Sequence, residues 1–294
     1  MKEYIQDFDK GKNRKRNHKK ISVLMSVYKS EKPEYLERSL QSIWDDQICK
    51  PNKIILVQDG PVGIDLTEVL DRWIAKLGDI ITLIVNEVNI GLTKSLNKGI
   101  TAIDTDYIAR MDSDDVSRPD RFAVQSEFLD THKDVAVIGA YIQEFSDICE
   151  NLGVRKFPLD TDGAKKLIYK ANPLAHPAVM MRKSMFDDGI SYDENYRTSQ
   201  DLALWFDILT AGYNVANIDK VLLNFRRNDS VYKRRSNRKD SNLEFKVHEK
   251  GIYKLFGISP YKSLFPIARY ILRLLPSSII RMLYNGKIRR KLTM

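Results

Sequence analysis

The sequence predicts an α/β fold: an open, mostly parallel, doubly wound sheet with helices on both faces. Three observations carry this. Short β-branched runs alternate with helical patterns along the first 134 residues. The runs are apolar at nearly every position rather than at every second one, as in strands covered on both faces. Polar, turn-forming residues follow the runs directly, at the carboxyl ends where open α/β sheets bind their ligands.

Taken in order, residues 21–27 read as the first strand, 33–47 as a helix, and 53–57 as the second strand. A helix over 66–77, a strand over 80–85, a helix over 92–103 and a strand over 107–111 follow. Pro119 is expected as the first residue of the next helix. Beyond Asp134 the pattern loosens into strands at 135–145 and 154–157, a helix at 161–171 and a loop at 171–177. A helix begins near Ser199-Gln200-Asp201 and runs through Leu202, Trp205, Ile208 and Leu209 to end by Gly212. Strands at 214–218 and 221–225 lead into a polar, basic stretch from Arg226 to Lys239 that reads as a mobile loop. Near the C-terminus, 267–275 is helical, with Arg269 and Arg273 four apart. Pro276 breaks it, Ser277 can cap a second helix and Asn285-Gly286 can close that one.

Charge is unevenly spread. The chain of 294 residues has a net charge of +9, with 43% hydrophobic and 30% charged residues. Residues 251–294 hold nine Lys or Arg and no acid, and the first 20 hold eight basic and three acidic residues, leaving the middle at −5. That argues against a nucleic-acid groove through the core and places any electrostatic role at the termini. The basic, amphipathic C-terminal pair is expected to lie on an anionic membrane surface. No run of about 18 apolar residues exists to cross a membrane. No apolar stretch follows the charged N-terminal tract, so no secretory leader is expected.

Several chemistries are excluded. Cys49 and Cys149 form neither a disulfide framework nor a CxxC, which fits a reducing compartment. His18, His132, His176 and His248 are too scattered for a zinc site. There is no GxSxG elbow, and neither GxGxxG nor GxxxxGK[ST] follows the first strand.

The strand ends carry what remains: Ser26-Val27-Tyr28, Gln58-Asp59-Gly60-Pro61 and Asp112-Ser113-Asp114-Asp115. The crowded carboxylates can hold Mg2+ or Mn2+ bridged to a diphosphate. Alternatively they cap the helix ahead of Pro119, with Asp115 serving its dipole. Asp201 is either a general base or simply an acidic residue in the first turn of its helix. His176 is either structural or part of an acceptor pocket. Trp44, Trp73 and Trp205 read as core, with Trp205, one turn from Asp201, nearest the acceptor.

Ile21 to Tyr28, Ile54 to Gly60, Asn89-Ile90-Gly91, Met111 to Asp115 and Pro119 to Phe122, in that order, resemble the nucleotide-sugar domain of family 2 glycosyltransferases with a GT-A fold. The resemblance covers about residues 20–235 and points to the branch of amylovoran, O-antigen and capsule enzymes. It implies that Tyr28 and Asp59 contact the uracil and ribose side of a nucleotide, that Asp112 lies near the ribose or sugar, and that Asp114, with Asp112, holds the metal. Gln200-Asp201 matches the family's acidic pair, whose second member is the base. Three departures stand out. Ser26 replaces a Pro in the donor-binding first-strand motif, and Gln200 replaces an acid. Ser95-Leu96-Asn97 lacks a diphosphate-directed arginine, for which Lys94 can substitute. Arg226, Arg227, Lys233, Arg234 and Arg235 either close over the diphosphate or form a solvated run.

The expected organisation is a basic tail (1–20), a transferase domain (21–235) and a helical membrane-associating extension (236–294). The domain divides into a nucleotide-sugar half (21–134) and an acceptor half (135–235). The expected activity is inverting, metal-dependent transfer of Gal, GalNAc or GlcNAc from a UDP-sugar to a glycan linked to undecaprenyl diphosphate. This would occur in bacterial surface polysaccharide synthesis, on the cytoplasmic face of the cell membrane. Competing readings are a metal-dependent nucleotidyltransferase, which would release pyrophosphate, and a non-enzymatic membrane-surface adaptor.

Overall fold

The computed structural model describes residues 20–227 and 238–274. Expectations for the N-terminal tail, for Lys233, Arg234 and Arg235, and for the segment after Pro276 lie outside the described residues. A nine-stranded sheet forms the centre, in the order β3-β2-β1-β4-β8-β6-β9-β5, with β7 paired to β6. The first four strands are β1 (Ile21–Val27), β2 (Lys53–Asp59), β3 (Ile81–Asn86) and β4 (Tyr107–Asp112). They pair in parallel, with Ser26 opposite both Val57 and Asp112. The connecting helices are α1 (Pro33–Ile43), α2 (Ile64–Leu77) and α3 (Leu92–Thr101), and they lie on both faces. This is the expected doubly wound fold, with helices following at the C-terminus.

Period-2 alternation sorts the side chains between the two faces. Tyr107, Ala109 and Met111 of β4 pack with α1, α2 and α4 (Arg121–Thr131), whereas Ile108 packs on the opposite side with α3 and α7 (Gln200–Thr210). Arg110 and Asp112 share the parity of Ile108, and Leu24 puts Ser26 of β1 on the same side. The donor-side strand ends and the start of α7 therefore belong to one face of the sheet.

The second half differs from expectation in instructive ways. After the acidic turn comes β5 (Val116–Ser117), which crosses to the far edge and pairs antiparallel with β9 (Asn214–Arg226). Pro119 sits in the turn after β5, and α4 starts only at Arg121, with Asp120 at its N-cap. The two strands expected around 214–225 are one strand pairing parallel with β6 (Val135–Phe145). Asp219 and Lys220 loop out of register as an exposed bulge, where Lys220 pairs with Asp120. Near β7 (Gly153–Arg155) and α5 (Thr161–Leu167), the pattern does not reveal β8 (Met180–Arg182) or α6 (Lys183–Asp187). Three residues are too few to show a period, yet β8 bridges β4 and β6 antiparallel.

The chain ends in α8 (Arg238–Phe256) and α9 (Pro260–Leu274). α8 is not an appendage: Val247 and Ile252 are buried in the same core as α7. Gly251 lies against the Phe206 ring so closely that an added β-carbon would sit 2.3 Å from it. Removal of 251–294 would therefore cut into the core, so such a truncation cannot isolate a membrane-binding tail.

Candidate active site

Asp112 ends β4, and the chain turns at once through Ser113 and Asp114 to Asp115. One carboxylate oxygen from each of Asp112, Asp114 and Asp115 lies within 4.8 Å of the others. Asp115 is fully buried, Asp112 one-third exposed and Asp114 partly buried. Burial, reinforced by Asp112 and Glu31, pushes Asp114 up to about 7, and burial with Asp114 and Asp112 pushes Asp115 well above the usual carboxylate range. Glu31 was not found from sequence. It lies in the loop after β1, accepts a hydrogen bond from Ser113 Oγ, and is itself raised by burial. Asp115 does not cap a helix: its Oδ1 accepts the backbone N–H of Arg226 at 2.7 Å, and its buried Oδ2 has no partner. This hard-oxygen donor set, with one orphaned carboxylate oxygen, suits a divalent cation.

Arg226 is a structural clamp rather than a loop residue. Its guanidinium lies 3.8 Å from the Tyr35 ring centroid and 4.5 Å from that of Phe145. Its Nε donates to the Asp114 carbonyl at 2.9 Å, and the head group pairs with Asp147. Arg227, expected in the loop, is instead a partly buried partner of Glu144 at 3.1 Å.

At the end of β1, Tyr28 is 47% exposed, available to stack on a base. Asp59, at the end of β2, is buried and committed to the neighbouring loop. It accepts from the N–H groups of Ile90 (2.8 Å) and Gly91 (2.9 Å) and from Asn86 Nδ2 (3.2 Å). Gly91 has φ +90°, which explains a glycine where the chain enters α3. Lys94 stands exposed on the first turn of α3. A second cation, Arg197, was missed: its Nε would be 3.4 Å from a β-carbon built on Gly91. It comes from the segment before α7, distant in sequence, so no local pattern points to it.

Asp201 lies in the first turn of α7, after Ser199 in the left-handed region at φ 59°. Asn172 Nδ2 donates to its Oδ2 at 2.6 Å, and the Leu202 N–H also binds it. Burial raises its pKa, while the Leu202 N–H and Arg110 act the other way and Glu244 adds to the rise. Arg110 is the link to the acidic turn. It is 2% exposed, forms an ion pair with Asp112 through Nη2, and its charge is felt at Asp114, Asp115, His176 and Asp201. The buried Tyr192 hydroxyl feels Arg110, Asp201 and Asp112. Arg110 and Tyr192 thus lie within electrostatic reach of both carboxylate centres.

His176 is buried, with Nε2 2.7 Å from the Tyr192 hydroxyl; burial and Arg110 hold its pKa well below the usual value, so it is neutral. Trp205 is fully buried in the core, its ring edge-on to His176 with centroids 6.0 Å apart. Gln200 is buried at 8% exposure, Trp73 is core, and Trp44 is partly buried.

Comparison with known proteins sets this geometry in a family. The Staphylococcus aureus TarS 1–349 structure in complex with UDP-GlcNAc superposes with a TM-score of 0.65 over 93% of this chain and 78% of that one. At 16% identity, the likeness concerns the fold. The Erwinia amylovora amylovoran biosynthesis glycosyltransferase AmsE is 32% identical over 272 residues, covering 90% of this chain and 98% of its own. The Escherichia coli UDP-Gal:alpha-D-GlcNAc-diphosphoundecaprenol beta-1,3-galactosyltransferase is also 32% identical over 272 residues, covering 92% and 97%. Residues 22–190 match the sequence model of Glycosyl transferase family 2, and the chain belongs to that family.

Proposed function

We propose that this protein transfers a hexose from a UDP-sugar to a glycan acceptor carried on undecaprenyl diphosphate, with inversion and with a divalent cation. Galactose, N-acetylgalactosamine and N-acetylglucosamine are the favoured sugars. The observation that carries this reading is the shared neighbourhood of two carboxylate centres, Asp112/Asp114 and Asp201, around buried Arg110 and Tyr192. The donor and the lipid carrier follow the E. coli relative, whose name states both.

The residues divide the work. Tyr28 offers its ring to the base, and the loop pinned by Asp59 forms the nucleotide wall. Asp112 and Asp114 hold the cation, Mn2+ or Mg2+, which when bound neutralises the departing diphosphate. Lys94 and Arg197 add positive charge at the start of α3, replacing the missing arginine. Asp201 takes the proton of the acceptor hydroxyl as that oxygen attacks the anomeric carbon; UDP leaves from the opposite side. The hydrogen bonds from Asn172 Nδ2 and the Leu202 N–H fix the orientation of that carboxylate.

Residues 21–235 form the catalytic unit, with 21–134 serving the donor and 135–235 the acceptor; α8 completes its core. Among the described residues no helix is long and apolar enough to cross a membrane. The protein would act as a peripheral enzyme on the inner membrane face, where lipid-linked sugars are assembled.

The test is a donor screen scoring UDP release from each UDP-sugar, with Mn2+ and a short-chain lipid-diphosphate GlcNAc acceptor. One sugar is expected to give acceptor- and metal-dependent release of UDP. Release of pyrophosphate, or no turnover with any donor, would defeat the assignment.

A further inference from the structure

Helix α9 is turned inside out relative to an ordinary surface helix. Its exposed residues among 260–272 are Pro260, Tyr261, Leu264, Ile267, Ala268, Ile271 and Leu272, all apolar. Leu264, Ile267 and Ile271 repeat at helical spacing, and Tyr261 and Leu272 widen the stripe. Ile258, 88% exposed in the connection from α8, extends it.

The described cations of α9 point the other way. Arg269 pairs with Glu244 at 3.0 Å and donates to the Lys170 carbonyl. Lys262 lies over the rings of Phe256 (4.6 Å) and Tyr169 (5.7 Å). Tyr270 packs on Phe245 and Phe265 on Tyr169. Basic side chains thus fasten the helix to the body while an apolar stripe is left to the outside. An ordinary soluble surface helix carries the reverse pattern.

We infer that this stripe is a lipid-insertion surface: α9 lies in the plane of an anionic leaflet, its outer face sunk into the boundary between headgroups and acyl chains. Charge complementarity favours this occupant: apart from the cations tied to the body, residues 273–294 carry six Lys or Arg and no acid. A helix of 15 residues is about 22 Å long, suited to lying on a bilayer rather than crossing it. A second copy fits less well, because a stable protein interface takes about 20–30 residues a side and this stripe offers seven. The inference deepens the lipid-linked acceptor reading and rests on it for the nature of the surface. It also has a geometric consequence. Arg269 binds Lys170, two residues before the Asn172 that holds Asp201, so a leaflet at α9 lies on the acceptor side of the site.

The sequence suggests a basic, amphipathic contact with the surface; the structure separates its two components, turning the described cations of α9 to the body and the apolar stripe outward. Apolar insertion resists salt, whereas a purely electrostatic contact is screened away at about 1 M. The experiment is co-flotation of the full chain with phosphatidylcholine/phosphatidylglycerol vesicles at about 0.1 and about 1 M NaCl. Wild-type protein is expected to stay bound in high salt. The Leu264→Asp/Ile271→Asp variant is expected to lose at least about tenfold in bound fraction there, on the per-side-chain cost of exposing a charge to lipid. Its turnover with a water-soluble acceptor should be unchanged, which also shows that it is folded. A Leu264→Trp variant should show blue-shifted emission quenched by brominated lipid.

Release of wild-type protein by salt, or unchanged high-salt binding of the double variant, would overturn the inference. So would a wild-type dimer in light scattering that the double variant abolishes, which would assign the stripe to a second copy. Retained quenching of Leu264→Trp without any sugar transfer would instead defeat the transferase reading alone.

Discussion

Asp114 is held where its charge is least welcome, buried beside Asp112 and Glu31 and raised to about 7, with Asp115 raised in the same direction behind it. A carboxyl whose folded pKa exceeds its unfolded value of about 3.9 costs the fold nothing at low pH. The cost grows as pH rises and is complete above about 7. A bound cation removes that cost by replacing the proton. Mn2+ is therefore expected to raise the melting temperature more at about pH 8 than at about pH 5.5, where protons hold the site. A shift as large at the lower pH, measured by scanning fluorimetry, would contradict this account of the cluster. These carboxylates were legible in the sequence because four consecutive polar residues follow an apolar strand. Glu31 was not, because it joins the cluster through a loop fold that no spacing encodes. The helix-cap alternative for Asp115 failed for a related reason: β5 intervenes before α4, and the carboxylate turns to a backbone amide 111 residues away.

At the level of elements, β9 determines the shape of the acidic turn. It runs parallel to β6, pairs with β5 just after the acidic turn, and ends in Arg226, which grips both Asp114 and Asp115. From sequence, Arg226 opens a basic run that reads either as a loop closing over the diphosphate or as a solvated stretch. Its burial follows from contact with the rings of Tyr35 on α1 and Phe145 on β6, partners remote along the chain. Arg226→Ala is expected to weaken divalent-cation affinity by about 10- to 100-fold, the usual effect of removing a group that orients metal ligands. Titration calorimetry with Mn2+ and UDP checks this; unchanged affinity would reduce Arg226 to a packing residue. The first four strands and their helices were readable because each is a long apolar or periodic segment. β8 and α6 were not, being three and five residues long and held in place by β4 and β6.

Over the whole molecule, the ends of β1 and β4 and the start of α7 lie on one face of the sheet, together with the buried Arg110. The order of motifs along the chain carried the family resemblance, while the route by which Asp201 returns to Asp112 depends on tertiary packing. The C-terminus shows the same limit. Its basic, amphipathic composition was evident, but only the packing of α8 and α9 shows that the arginine turns inward and the apolar stripe outward. The central claim is that Asp201 removes the acceptor proton in a site whose cation and nucleotide are held by other residues. Asp201→Asn tests it most directly, by comparing acceptor-dependent UDP release with UDP–Mn2+ affinity in the same preparation. The account predicts turnover lowered by about 10²- to 10⁴-fold with affinity nearly unchanged. Wild-type turnover in that variant, or equal loss of nucleotide binding, would contradict it.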